Sequence, residues 1–332
     1  MDKTELRLDP LTQQWTIFSA ARALPPDFGS VRAEASAASP FTPGREELTP
    51  PALHTAGTPW QVRVVPNRAP AVRVEGDAQP RSDGFYDRMD GVGAHEVIIE
   101  HPGGAALEDL DLGDLGKVIA AWKARMLDLM RDPKLRTFTV VKNVGAAAGG
   151  RVSHSVSQLV ALSFVPPVLR RKLDSAREFF ARKRRSIFED ILAEEFRTGS
   201  RLVYENNGFT VFCPYAARAP FELALYPKRQ CADLHGLTDQ ETAQFADALR
   251  SALRLLNAAL DHPPFNLMLF TAPVRTARRD YWNTIEQDFR WHVEILPRLH
   301  HLGGVELATG AWINSVWPET AAAHLRSLEV HR

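Results

Sequence analysis

Residues Lys142–Gln158 read Lys-Asn-Val-Gly-Ala-Ala-Ala-Gly-Gly-Arg-Val-Ser-His-Ser-Val-Ser-Gln. A glycine-rich turn of this kind lets backbone N–H groups approach a ligand phosphate with no side chain in the way. The turn runs into His154, Val156 and Gln158, which alternate along an extended chain and so face one side. A second segment, Phe289–Arg298, sets Arg290, His292 and Glu294 on one face of a strand, with Trp291, Val293 and Ile295 on the other. Three polar groups in register ordinarily line a solvent face; in a pocket, the same trio suits an anion or a metal.

These segments need a frame, and the rest of the chain supplies its pattern. Gln14–Ser19, Gln61–Val65 and Glu96–Glu100 are short and rich in β-branched or aromatic residues, as strands are. Leu24–Thr58, full of Pro, Ala and Ser, reads as a long surface excursion. Leu115, Val118, Ile119, Trp122 and Met126 recur at helical spacing and predict a helix over Asp111–Asp128. Strands at Arg136–Lys142 and Gln158–Phe164 flank the glycine turn. Pro166 and Pro167 open a charged helical connector reaching Phe196, whose Arg182–Arg185 run reads as a solvated face.

Beyond the connector the pattern repeats. Strands are expected at Leu202–Glu205, Phe209–Cys213, Glu222–Tyr226, Asn266–Thr271 and Trp291–Leu296, and a helix over Thr238–Leu260 behind a Thr238/Glu241 capping box. The expected fold is α+β, two duplicated units of antiparallel sheet packed with helices, over residues 1–165 and 166–332.

Composition narrows the function. The 332 residues carry 40 basic and 40 acidic side chains, so no net field gathers polyanions and a nucleic-acid role is not expected. Two cysteines, Cys213 and Cys231, exclude a disulfide framework and an all-cysteine metal cage. No apolar leader core opens the sequence and no run approaches the ~18 apolar residues of a membrane span, so a cytoplasmic protein is expected.

The order of segments resembles the galactose-1-phosphate uridylyltransferase family of the histidine-triad superfamily. Arg7–Trp15, Ser39–Pro51, Val62–Pro70, Gly93–Glu100, Lys142–Gln158, Cys213–Glu222, Trp291–Arg298 and Thr309–Asn314 follow in family order over nearly the whole chain. The resemblance implies double-displacement nucleotidyl transfer: a histidine of a His-Pro-His-x-Gln motif attacks the α-phosphorus of a nucleotide sugar and passes the nucleotide to a sugar 1-phosphate. Neutral imidazole is a competent nucleophile for this, and turn amides with the glutamine stabilise the phosphoryl oxygens.

This chain departs from that motif, which here reads His154-Ser-Val-Ser-Gln158. Val156 stands at the nucleophile position, Gln158 matches the phosphate-binding glutamine, and His154 matches a residue that ligates zinc in metal-bearing members. The other zinc positions fall on Ser39, Thr42 and Gly104, although His101 lies near. A second Cys-x-x-Cys falls on Ser186 and Glu189. The second-half His-x-His is Arg290-Trp-His292, and a further histidine position is Phe270. Arg22 is retained from an arginine pair whose partner position is Pro25. No zinc is expected, and no other cofactor.

What remains is a nucleotide frame of Arg22, Asn67, Asn143, Gly145, Gly149, Arg151 and Gln158, with Arg290, His292 and Glu294 forming a second-half pocket. His154 and Gln158 are the nearest candidates for catalytic roles. The expected ligand is a nucleotide or nucleotide sugar, and a sugar 1-phosphate is a further candidate. The covalent mechanism is expected to be impaired or lost. The alternatives are an enzyme of changed mechanism and a non-catalytic partner of an intact relative. Family resemblance also implies a homodimer.

Overall fold

The computed structural model describes residues 4–19, 39–275 and 282–328; Arg22 and Pro25 lie outside them. The elements in chain order are β1 (Thr4–Leu8), β2 (Trp15–Ser19), β3 (His54–Ala56), β4 (Val62–Pro66), β5 (Arg81–Asp83), β6 (Tyr86–Arg88), β7 (Gly93–Ile99), α1 (Leu112–Leu129), β8 (Thr137–Val144) and β9 (Val156–Leu162). They continue through α2 (Pro167–Lys183), α3 (Ile187–Thr198), β10 (Leu202–Glu205), β11 (Phe209–Phe212), β12 (Leu223–Pro227), α4 (Asp239–Leu260), β13 (Phe265–Phe270) and α5 (Ile285–Asp288). The last are β14 (His292–Pro297), α6 (Gly304–Thr309), β15 (Trp312–Asn314) and α7 (Pro318–Ser327).

Ten strands form one sheet in the order β10-β11-β12-β14-β13-β8-β9-β7-β4-β3, each neighbour antiparallel to the next. The connectivity is duplicated: β3, β4, β7, α1, β8, β9 in the first half and β10, β11, β12, α4, β13, β14 in the second. The halves meet along β8 and β13, where Val144 lies opposite Phe265 and Thr139 opposite Phe270. Registers match too. Gln158 lies between Val97 and Val141, and Glu294 between Ala224 and Met268. Gln158, Val156 and His154 therefore correspond to Glu294, His292 and Arg290.

Helices α1 and α4 cover one face across both halves, burying Ile119, Trp122 and Met126 beside Phe245, Leu249 and Leu253. Trp122 donates its indole N–H to Ser157 Oγ at 2.9 Å, so the ring is both packed and satisfied. The Thr238/Glu241 capping box opens α4 as the sequence predicts. Thr238→Ala is expected to lower stability by about 1 kcal/mol in urea unfolding, the usual worth of such a cap.

The opposite face differs between the halves. Over the second half, α2 and α3 bury Leu169, Leu173, Phe188 and Leu192 against Phe212, Tyr226 and Phe289. Over the first half the smaller cluster of Val65, Val97 and Ile99 is met by Phe41, Trp60 and Val156.

Several elements depart from expectation. The Gln14–Ser19 run, read as a strand of the first half, pairs as β2 with β1 and, in parallel, with the C-terminal β15. Phe18 stacks on Trp317 at 5.0 Å, and Arg7 bonds Glu319 at 2.9 Å. The described end of the surface excursion contains β3, which edges the main sheet against β4. The charged connector breaks at Arg184, whose φ of 58° ends α2, before Ser186 caps α3. Arg182–Arg185 are exposed.

Candidate functional site

The glycine turn follows β8 directly. Gly145 and Gly149 both hold φ of +80°, a region costly for residues with a Cβ. Gly150 N–H donates to Gly145 O at 2.8 Å, and a Cβ on Gly150 would meet backbone atoms at 2.9 Å. Asn266, from β13 of the other half, donates to Asn143 Oδ1 and to Ala148 O, both at 2.8 Å. Asn266 thus braces the turn, and the Asn143 amide oxygen accepts one of its bonds.

A cavity of about 640 Å³ opens beside the turn, bordered by Asn143, Gly145, Arg151, His154, Val156 and His262 among others. A larger cavity, about 850 Å³, lies between the Asp9–Leu11 turn and α2–α3. Asp9, Glu178, Asp190, Glu194 and Glu195 outweigh Arg182 and Arg201 in its lining, whereas Lys142 and Arg151 match Glu108 and Asp109 beside the turn, so an anion is better received at the turn.

His154 is buried, with Nε2 2.8 Å from the carbonyl oxygen of His101. That contact puts the ring proton on Nε2. Nδ1 is buried with no hydrogen-bond partner among the described residues, and burial lowers the pKa of the ring. Val156 is half-buried, between the turn's cavity and the Val65–Val97–Ile99 cluster. Gln158 does not border the cavity; its Oε1 lies 2.7 Å from His95 Nε2, and Asn67 Nδ2 lies 3.1 Å from the same nitrogen. The structure therefore divides the expected frame into a turn group and an Asn67–Gln158 group. Val156 adjoins both.

Sequence reasoning left His95 aside, although it precedes Val97 by two on the same strand face. It also left the buried triad on the helix side. Lys142 Nζ bonds Glu100 Oε2 at 2.6 Å and Ser155 Oγ at 2.8 Å, and Ser155 donates to the same carboxylate at 2.6 Å. This ion pair fastens the base of the turn.

The residues at the family's zinc positions do not make a zinc site. Gly104 has no side chain, and Ser39 and Thr42 offer neutral hydroxyls in place of thiolates, the Ser39 hydroxyl already accepting from Phe41 N–H, so a single imidazole is left of four ligands. Ser186 serves as the N-cap of α3.

In the second half, Arg290, His292 and Glu294 enter an interior network in place of the expected pocket. Strand β14 starts at His292, and Arg290 is buried with Nη1 on the carbonyls of Pro227 and Lys228 at 2.7 and 3.0 Å. Burial lowers the Arg290 pKa to about 10. Lys172 of α2, fully buried, donates to His292 Nε2 at 2.7 Å and to Glu294, and its ammonium lies 3.8 Å from the centre of the Phe270 ring. Arg218 bonds the other Glu294 oxygen at 2.8 Å and Glu222 at 2.9 Å. An ammonium thus sits on the His292 lone pair that a metal would need.

Burial, then the adjacent Lys172 charge, lower the His292 pKa to about 3. Unfolded, the ring takes a proton near pH 6.5. The unfolded chain then binds the extra proton between those values, so this contribution is full above pH 6.5 and is lost as pH falls toward 3. The melting temperature is expected to drop over that window, and His292→Gln to flatten the drop.

A duplicated antiparallel sheet whose glycine turn runs into the strand of Val156 and Gln158 defines a histidine-triad-like fold of the nucleotidyltransferase and phosphorylase class. The family model for the N-terminal domain of galactose-1-phosphate uridyl transferase matches residues 1–166. The ADP-glucose phosphorylase of Arabidopsis thaliana is 32% identical over 98% of this chain and 93% of its own. The galactose-1-phosphate uridylyltransferase of Thermotoga maritima is 28% identical over 98% of this chain and 99% of its own. The crystal structure of the Arabidopsis ADP-glucose phosphorylase with bound ADP-glucose, at 31% identity, aligns with a TM-score of 0.85 over 99% of both chains. The chain belongs to the galactose-1-phosphate uridyl transferase family. None of the helices among its described residues is long and apolar enough to cross a membrane.

Proposed function

We propose that this chain binds a nucleotide or nucleotide sugar between the glycine turn and the Asn67–Gln158 face, without the covalent nucleotidyl transfer usual in its family. One observation carries the reading: at position 156 an isopropyl group, with no lone pair to attack phosphorus, stands between two groups suited to phosphate. Burial of His154 Nδ1 speaks against that ring as a replacement nucleophile. On this reading residues 1–165 bind the ligand and residues 166–332 brace them. The bound ADP-glucose of the plant relative makes that the first ligand to try.

Thermal unfolding with ADP-glucose, UDP-glucose, UDP-galactose and the free nucleotides tests the proposal. A ligand at a hundred times its dissociation constant adds about 2.7 kcal/mol of stability, so a clear rise is expected for one base. Intact mass on the same samples is expected to show no adduct. No rise with any ligand, or a nucleotidyl-histidine in the wild-type protein, overturns the proposal.

A further inference from the structure

One imidazole orients the Gln158 amide, one backbone donor fixes the tautomer of that ring, and a second sets the sense of the neighbouring Asn67 amide. The N–H of Ala71 lies 3.0 Å from His95 Nδ1. A backbone N–H can only donate, so Nδ1 accepts and the ring proton sits on Nε2. Nε2–H then donates to Gln158 Oε1 at 2.7 Å, which turns the Gln158 NH₂ away from the ring. Asn67 Oδ1 accepts from the N–H of Ala69 at 2.9 Å, so the NH₂ end of Asn67 faces His95, 3.1 Å from Nε2. Two proton-bearing nitrogens do not bond each other. Both amide NH₂ groups are thereby left without an acceptor among the described residues, on half-buried side chains beside Val156.

We infer that His95 is a positioning residue that holds the Gln158 amide with its N–H bonds toward the phosphoryl oxygens of a nucleoside diphosphate, beside the Asn67 amide whose sense is set by Ala69 N–H. This rests on the proposal that a nucleotide binds here. An amide turned the other way would offer its oxygen to the phosphate and repel it, so the ring decides between attraction and repulsion. The donors are uncharged, so salt screens their contribution far less than it would a surface lysine's.

Two measurements test the inference. Nitrogen-15 NMR of histidine-labelled, ligand-free protein is expected to show the Nε2–H tautomer for His95; the Nδ1–H tautomer would overturn the inference. Titration of wild type, His95→Phe, Gln158→Met and the double variant with ADP, UDP, adenosine and uridine supplies a mutant cycle. Each single variant is expected to weaken diphosphate binding about tenfold and leave nucleoside binding unchanged. The double variant is expected to bind no more weakly than either single one. His95→Gln, which keeps an N–H donor, recovers part of the loss and replaces His95→Phe should that variant fail to fold. Additive losses, equal losses for nucleosides, or unchanged diphosphate binding in His95→Phe overturn the positioning role. Failure of the wild type itself to bind ADP or UDP is the separate outcome that removes the nucleotide proposal and this inference together.

Discussion

Val156→His is expected to convert the protein into a nucleotidyl acceptor. Incubated with the nucleotide sugar it binds, the variant gains the mass of one nucleotidyl group as the bond to the bridging oxygen breaks and sugar 1-phosphate leaves, while the wild type stays at background. The new imidazole would project on the face that carries Gln158, beside the turn whose Gly145 and Gly149 hold positive φ. Neutral imidazole has the lone pair that valine lacks. Overpacking is the cost, about 1–3 kcal/mol in a tight core. Here it is eased because Val156 is half-buried and two of its neighbours, Phe41 and Trp60, belong to loops. The adduct should be a phosphoramidate, lost in acid and kept in alkali. A folded variant that gains no mass from ADP-glucose, UDP-glucose or UDP-galactose would mean that the turn does not seat the α-phosphorus.

Lys172→Met is expected to be the most destabilising single change, costing about 3–5 kcal/mol in urea unfolding at pH 7. Methionine fills the space but removes a fully buried ammonium, leaving His292 Nε2 without its donor and one Glu294 oxygen without its cation. Burial would raise the Glu294 pKa, yet Lys172 and Arg218 outweigh it and hold the carboxylate below its usual range. The surviving Arg218 contact places the cost toward the lower end. Combining Lys172→Met with Glu294→Gln is expected to recover part of the loss, because the uncompensated charge goes with it. A cost below about 1 kcal/mol would mean that the network adds nothing net to stability.

The main sheet was legible because its strands are β-branched runs of ordinary length and its two long helices carry clean apolar stripes. Leu202–Glu205 matches β10, and the Thr238–Leu260 helix differs from α4 only in counting the cap. The terminal strands were not, since β2 finds its partner β15 at the other end of the chain and no local pattern carries that pairing. The polar Arg-Ser-Asp and Tyr-Asp-Arg of β5 and β6 lack an apolar face to betray a hairpin.

At the site, the glycines announced the turn, but burial was invisible. Arg290, His292 and Glu294 alternate along the chain, which shows that they share a face and not what covers it; Lys172 of α2 turns inward and closes that face. The part played by His95 depends on a proton whose place is set by Ala71 N–H, and residue types and spacing do not state it.

The amide that Asn266 lends to the turn makes one copy of the duplicated unit depend on the other. The glycine loop of one copy is held by a strand of its twin, so removing the second copy is expected to loosen that loop. Occupancy at the turn should therefore be felt as slower amide exchange along β13, across the seam between the copies. The same tie makes the second copy intolerant of change at one point: a substitution that displaces Asn266 is expected to cost the first copy its loop.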